Sequence, residues 1–389
     1  MAYMRDPFDL LDISSLLGDE EQDIQATVRQ FLADHVRPHI GEWFERGHFP
    51  RDLVPELGKL GLLGMHLEGY GCAGTNAVSY GLACLELEGV DSGLRSFVSV
   101  QGSLSMFSIH RWGSEEQKQE WLPRLATGEA IGCFGLTEPD FGSNPAGMRT
   151  RAVRDGSDWL LNGSKMWITN GGLADVATVW AQNEDGIRGF LMPRGTPGFT
   201  TSDIKQKLSL RASVTSELSF EDVRLPASAL LPGARGLGGP LACLNEARFG
   251  ILFGAVGAAR DSLAAALEYA DSRVQFDKPI SAFQLTQKKL ADMAMSVNSS
   301  MLLALHLGRL KDQHSLRPEQ VSVGKLNNVR EALAVARECR TILGGNGISG
   351  EYSPLRHANN LESVRTYEGT DEVHTLVIGQ AMTGQAAYR

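Results

Sequence analysis

The stretch Cys133-Phe134-Gly135-Leu136-Thr137-Glu138-Pro139-Asp140-Phe141-Gly142-Ser143-Asn144 marks the place where the chain changes character. Before it, from Glu20 to about Leu125, apolar residues recur at three- and four-residue spacing, as in Ile24, Val28, Phe31 and Leu32, which predicts helices. After it come short β-branched or aromatic segments, Met166 to Thr169, Val176 to Trp180 and Gly189 to Met192, bounded by Asn-Gly, Glu-Asp-Gly and Pro-Gly turns. These predict antiparallel strands as far as Leu231. A Gly-rich boundary at 233–240 then leads into Ala- and Leu-rich periods at 241–273, 282–313 and 318–343, whose lengths suit a helical bundle. The expected fold is α+β: an N-terminal all-helical domain at 1–130, a middle antiparallel β-domain at 131–235 and a C-terminal four-helix bundle domain at 236–389.

Bulk properties narrow the function. The 389 residues exceed what one hydrophobic core usually serves, in keeping with several subdomains. Lys and Arg number 37 against 46 acids, a formal charge of -9 that argues against binding nucleic acid through its phosphates. Five scattered cysteines without CxxC spacing read as reduced thiols of a cytosol-like compartment. The acidic start, Met-Ala-Tyr-Met-Arg-Asp-Pro-Phe-Asp, has neither a secretory nor a basic transit character, and no run of about 18 apolar residues points to membrane insertion. A cytoplasmic bacterial location is expected, or the mitochondrial matrix if a transit peptide has been removed. His306, His314, His357 and His374 form no HxxxH or HExxH pattern, so no metal site is expected. No G-x-S-x-G elbow, P-loop or G-x-G-x-x-G follows a strand, so a nucleotide must be held in some other way.

Three groups of residues could carry chemistry. The turn after Cys133 offers hydroxyls and exposed amides to an electron-rich ring or a phosphate, although an ordinary strand end has the same composition. Trp167, Ile168, Thr169 and Asn170 pair a flat aromatic with a hydroxyl, where the bland alternative is a core tryptophan. Near the C-terminus, Tyr367, Glu368, Gly369 and Thr370 set a carboxylate at a turn ahead of a helix, with Thr370 as N-cap and Asp371 and Glu372 in the first turn. Glu368 is the expected base for removing a substrate proton.

Taken together, GLTEPDFGSN, KMWITN, SRVQF, LGGNGI and YEGT, in that order, resemble the acyl-CoA dehydrogenase family of flavoproteins, from about residue 20 to the end. Within the family, DSGLRSFVSVQGSL, KLSLRASVT, CLNEARFGI and LGGNGISGEY are most similar to the glutaryl-CoA dehydrogenases. The resemblance implies noncovalent FAD at the subunit interface of a homotetramer. Its flavin site would use Phe134, Leu136, Thr137, Gly142, Ser143, Trp167, Ile168 and Thr169. Arg273, Phe276, Gln284, Leu343, Gly344 and Gly345 would serve a neighbouring subunit's FAD, with Thr370, Glu372 and Tyr388 closing over the cofactor. Asn144 stands where the family often has Asp, and Tyr388 where it usually has Phe.

For the substrate, the resemblance implies Ser143, Asn245, Arg248, Tyr367 and Gly369 along the acyl-CoA, with Arg248 on the CoA moiety. Arg95, which composition alone would leave as a solvated charge, would meet a distal carboxylate with Ser96, Ser99 and Glu88. Glu368 would take the α-proton while its own N–H and a flavin ribityl hydroxyl hold the thioester oxygen. The implied reaction is oxidation of glutaryl-CoA through glutaconyl-CoA with decarboxylation to crotonyl-CoA, and the implied electron acceptor is electron-transferring flavoprotein. The alternatives are a non-decarboxylating or short-chain dehydrogenase, a flavin oxidase or monooxygenase on the same fold, and a noncatalytic thioester-binding protein.

Overall fold

A computed structural model describes residues 6–387, so Tyr388, expected near the cofactor, lies outside the described residues. Seven helices come first: α1 (Asp19–His35), α2 (Ile40–Arg46), α3 (Leu53–Lys59), α4 (Ala77–Val90), α5 (Ser92–Ser99), α6 (Phe107–Trp112) and α7 (Glu115–Ala126). Every residue of α4 and α5 is buried, because these two run through the middle of the molecule. Asp91 separates them and caps α5, its carboxylate accepting from Gly93 N at 2.7 Å. A π-helical stretch, Val100–Met106, carries α5 into α6. The buried Gln101 on it donates to the carbonyls of Leu125 and Ala130 and accepts from Gly132 N, which ties the helical part to the start of the sheet.

The seven strands are β1 (Gly132–Gly135), β2 (Arg151–Asp155), β3 (Asp158–Thr169), β4 (Val176–Asn183), β5 (Gly186–Pro193), β6 (Phe199–Asp203) and β7 (Thr215–Leu225). They form one sheet in the order β1-β4-β2-β3-β7-β6, with β5 also on β4. The sheet is not antiparallel throughout, as the turn-bounded strands led us to expect. β1 runs parallel to β4, and β2 meets β4 in parallel at Arg151 and Gln182. The reason is topological: β1 and β4 are separated by a long excursion that contains β2 and β3, so they are not joined by a tight hairpin, whereas β2 turns through Gly156 and Ser157 straight into its antiparallel partner β3.

The chain then enters α8 (Gly238–Ser272), a short hairpin of β8 (Val274–Gln275) and β9 (Lys278–Pro279), and the helices α9 (Gln284–Asp312), α10 (Pro318–Ile342), α11 (Ser353–Val364) and α12 (Asp371–Thr383). One apolar core joins α1, α4 and α5 to α8, α9, α10 and α11, so the first and last helical regions are packed as one body; the sheet keeps a core of its own. Neither α8 nor α9 holds an unbroken run of about 18 apolar residues, although by length and mean hydropathy both are apolar enough to span a bilayer. The apolar window of α8 is 72% buried inside the fold, which explains its composition without a membrane.

Candidate functional site

The carboxylate-bearing turn is built between α11 and α12. Thr370 caps α12, its hydroxyl accepting from Val373 N at 3.3 Å, and Asp371 is tied by Arg330 at 3.0 Å and Arg365 at 2.9 Å. Glu368 and Gly369 both sit in the left-handed backbone region, with φ of 54° and 99°. Glycine is required at 369, where a Cβ would also lie 2.8 Å from His374 Nε2. For Glu368 the conformation is a strained one, held by its surroundings. Lys325 Nζ donates to Tyr367 O at 2.7 Å and to Gly369 O at 2.6 Å, and Arg248 Nε donates to Glu368 O at 2.7 Å. Three successive carbonyls of the turn thus rest on cationic side chains.

The Glu368 Oε2 atom is buried and has no hydrogen-bond partner, while the residue as a whole keeps partial exposure. Burial raises its pKa above the ordinary 4.5, against the opposing pull of Arg95, Lys325 and Arg248. A carboxylate in that setting is poised to accept a proton.

Arg95 is fully buried on α5. Its Nε donates to Glu88 Oε2 on α4 at 2.6 Å, its Nη2 donates to the Tyr367 hydroxyl, and Ser96 Oγ lies 3.1 Å from the same hydroxyl. Burial works against the guanidinium charge, and Glu88, Tyr367 and Glu368 outweigh it, so Arg95 stays charged. Burial also pushes the Tyr367 phenol well above its usual range, so it stays protonated. Four buried polar atoms here lack partners: Arg95 Nη1, Ser99 Oγ, Glu88 Oε1 and Glu368 Oε2. Such groups are costly unless a ligand meets them. Room for Glu88 comes from α8, where a Cβ at Gly254 would stand 2.0 Å from Glu88 Oε2.

A second region lies on the sheet. Trp167 sits at a bulge of β3 against β7 with φ of 63°, and the residue is 60% exposed. The neighbouring Ile168 turns into the core of the sheet, and Phe134 and Leu136 are buried in a separate apolar cluster, whereas Thr137 and Thr169 are half-buried and Gly142 and Ser143 are exposed. Lys165 fixes the loop after β1 to β3: its buried Nζ donates to Leu136 O at 3.1 Å and Glu138 Oε1 at 2.8 Å. The Glu138 carboxylate in turn accepts from the N–H groups of Arg149 and Thr150.

A third group, Arg273, Phe276, Gln284, Gly344 and Gly345, is exposed around the β8–β9 hairpin and the end of α10, with Leu343 buried beneath. Phe276 is 88% exposed with φ of 51°, and nothing lies within 4 Å of where a Cβ would stand on Gly344 or Gly345. This group shares no hydrogen bond or ring contact with Trp167 among the described residues. The structure therefore brings together Glu88, Arg95, Ser96, Tyr367, Glu368 and Arg248, and leaves the hairpin group apart. Arg248, expected along the CoA, is held on the carboxylate turn and on Asn245 Oδ1 at 3.0 Å. Glu372 is exposed on α12.

Three family models match the chain in order: the acyl-CoA dehydrogenase N-terminal domain over residues 18–129, the middle domain over 133–223 and the C-terminal domain over 234–383. The chain belongs to the acyl-CoA dehydrogenase family. It is 36% identical over 370 residues to the short-chain specific mitochondrial acyl-CoA dehydrogenase of Homo sapiens, covering 93% of this chain and 90% of that protein. Among solved structures it is similar to a glutaryl-CoA dehydrogenase from Mycobacterium smegmatis in complex with FADH2, at 70% identity and a TM-score of 0.98, covering 99% of this chain and 100% of the other. A chain in a structure described as the electron transferring flavoprotein of Acidaminococcus fermentans matches at 34% identity and a TM-score of 0.91, covering 95% and 99%.

Two residues of this family member's site escaped the sequence reading, Lys325 and Lys165. Lys165 stands within the quoted KMWITN, and a lysine in the middle of an apolar strand was a usable signal. Lys325, in Val-Gly-Lys-Leu-Asn-Asn of α10, resembles any helical surface lysine, and only the tertiary structure shows it buried.

Proposed function

We propose that this acyl-CoA dehydrogenase oxidises glutaryl-CoA with FAD, decarboxylates the product to crotonyl-CoA and passes its electrons to electron-transferring flavoprotein. The observation that carries the substrate assignment is the buried Arg95, charged, lodged against Tyr367 beside Glu368, with Nη1 still unpartnered. A saturated acyl tail would leave that cation and Ser99 Oγ unmet, whereas a distal carboxylate satisfies both.

The residues fit FAD. The solvent-facing Trp167 ring on its strained bulge offers a flat face, Thr137, Ser143 and Thr169 offer donors, and the open backbone of Gly344 and Gly345 admits a close neighbour. The hairpin group stands apart from Trp167, which fits an FAD completed by a second subunit, as in a homotetramer. FAD, when bound, supplies the acceptor for the hydride leaving the β-carbon.

The chain's own residues do the rest. Arg95 and Ser99 anchor the distal carboxylate and so place the α-carbon by the length of the acyl chain. Glu368 takes the α-proton, its raised pKa bringing it toward working pH, and its backbone N–H supports the thioester oxygen as charge develops there. Loss of carbon dioxide from glutaconyl-CoA leaves a dienolate, and Glu368, now protonated, returns a proton to the γ-carbon. Arg248 and Asn245 sit at the outer side of this turn, where the thioester's CoA portion would pass. Localisation in the cytoplasm of a bacterium accords with this chemistry.

The test is kcat/KM across glutaryl-, pentanoyl-, butyryl- and octanoyl-CoA with the FAD-loaded protein and electron-transferring flavoprotein as acceptor. Glutaryl-CoA should lead pentanoyl-CoA by about tenfold or more, the discrimination a matched buried charge provides. Equal values would return the chain to a general short-chain dehydrogenase, and rapid turnover with oxygen alone would make it an oxidase.

A further inference from the structure

Lys325 is 1% exposed on α10, yet among the described residues no carboxylate lies within ion-pair distance of its nitrogen. A buried ammonium ordinarily faces an acid. This one spends its donors on the carbonyls of Tyr367 and Gly369, at 2.7 Å and 2.6 Å, on either side of Glu368. The arrangement is costly: burial lowers the Lys325 pKa from its ordinary 10.5, and Glu368 pulls it back only in part.

The geometry of a trans amide gives the arrangement a use. Carbonyl and N–H point in opposite directions across a peptide plane, and this chain has no cis bonds among its described residues. Holding Tyr367 O against Lys325 therefore turns the Glu368 N–H away from Lys325. The ammonium also draws electron density toward that carbonyl, which strengthens the same N–H as a donor. Gripping Gly369 O as well holds both ends of a turn whose central residue sits at φ of 54°, where a glutamate does not rest by itself.

We infer that Lys325 is a positioning residue for proton transfer, clamping the Tyr367 and Gly369 carbonyls so that the Glu368 N–H and carboxylate are both aimed at the thioester. The inference rests on Glu368 being the base. Arg248 completes the clamp from α8 through Glu368 O.

The experiment compares Lys325→Met, Lys325→Gln and Glu368→Gln in the FAD-loaded protein. Lys325→Met keeps the stem and removes the ammonium. Its kcat should fall about tenfold to a hundredfold, less than the loss of a direct oxyanion donor, with KM for glutaryl-CoA within about threefold. Its affinity for acetoacetyl-CoA, which binds as an enolate, should fall about tenfold while that for CoA is unchanged. The acid limb of its pH profile should move to higher pH, because Lys325 is one of the cations that lower the Glu368 pKa. The other groups facing the pair, Arg95, Arg248, Glu88, Asp371, Tyr367 and His374, are the same in both proteins, so the shift isolates the ammonium.

A Lys325→Met protein with kcat within twofold of the parent, an unmoved acid limb and parent-like acetoacetyl-CoA affinity overturns the inference. Should the Met variant not fold, Lys325→Gln decides: one neutral donor should leave kcat about fivefold low or worse, and a parent-like value overturns the inference. With an active parent and an inactive Glu368→Gln protein, these failures bear on Lys325 alone. An active Glu368→Gln protein instead removes the base assignment itself.

Discussion

Arg95 Nε donates to Glu88 Oε2 at 2.6 Å, and neither side chain has any exposure to solvent. The pair leaves one guanidinium nitrogen and one carboxylate oxygen without partners, which is how a protein would keep a buried cation ready for an anion it meets only when substrate enters.

Arg95→Met should therefore lower kcat/KM for glutaryl-CoA by the equivalent of about 2–5 kcal/mol while pentanoyl-CoA loses far less. Because the substitution strands Glu88, the same measurement on Glu88→Gln/Arg95→Met separates substrate recognition from damage to the fold. A ratio of the two kcat/KM values equal to that of the parent takes Arg95 out of the site.

Gly254→Ala tests how closely α8 supports the same pair. Its methyl would stand 2.0 Å from Glu88 Oε2, so the side chain must move. Overpacking of this kind costs about 1–3 kcal/mol, more than the helix propensity gained. Urea unfolding should show the loss together with a raised KM for glutaryl-CoA. Gly238→Ala, at a position with nothing within 4 Å, should be neutral.

The fold was legible in the sequence because apolar patterning reports burial, which is complete along α4, extends over much of α8 and alternates along β3 and β7. The 241–273, 282–313 and 318–343 periods match α8, α9 and α10 to within a few residues. The Thr370 cap was equally readable, since an N-cap needs only local chemistry. Strand direction was not, because nothing local in Gly132–Gly135 records that it will lie parallel to β4. Lys325 was invisible for the same reason: its partners are carbonyls some 40 positions away, and a carbonyl leaves no mark on composition. Arg95 was legible only through its resemblance to a family, because an arginine near a helix start is most often a solvated charge.

Trp167→Ala should leave the melting temperature of the flavin-free protein almost unchanged, since the residue is 60% exposed and outside the apolar core. Flavin content after purification and reconstitution should fall sharply. Full retention of FAD would place the flavin elsewhere.

The pH dependence follows from Glu368. Its folded-state pKa is raised by burial above the ordinary 4.5, with Arg95, Lys325 and Arg248 opposing. The reactive form is the carboxylate, so kcat/KM should rise with pH through a midpoint above 4.5. For stability the sign is the reverse. A raised carboxyl pKa stabilises the fold fully below about 4.5, and that contribution is lost as pH rises through the folded value. Glu368→Gln should accordingly melt higher than the parent at pH 7, with the difference shrinking by pH 4. An unchanged difference across that range would mean that Glu368 titrates as an exposed carboxylate.

The central claim is that Glu368 initiates oxidation of a glutaryl thioester, and anaerobic stopped-flow mixing with glutaryl-CoA measures it most directly. The parent protein should bleach its flavin absorbance and yield crotonyl-CoA and carbon dioxide. Glu368→Gln should bind the same thioester and bleach slower by a factor on the order of a thousand or more, since the amide keeps the shape but accepts no proton. Bleaching by Glu368→Gln within tenfold of the parent rate, or a parent flavin that glutaryl-CoA leaves oxidised, would contradict the account.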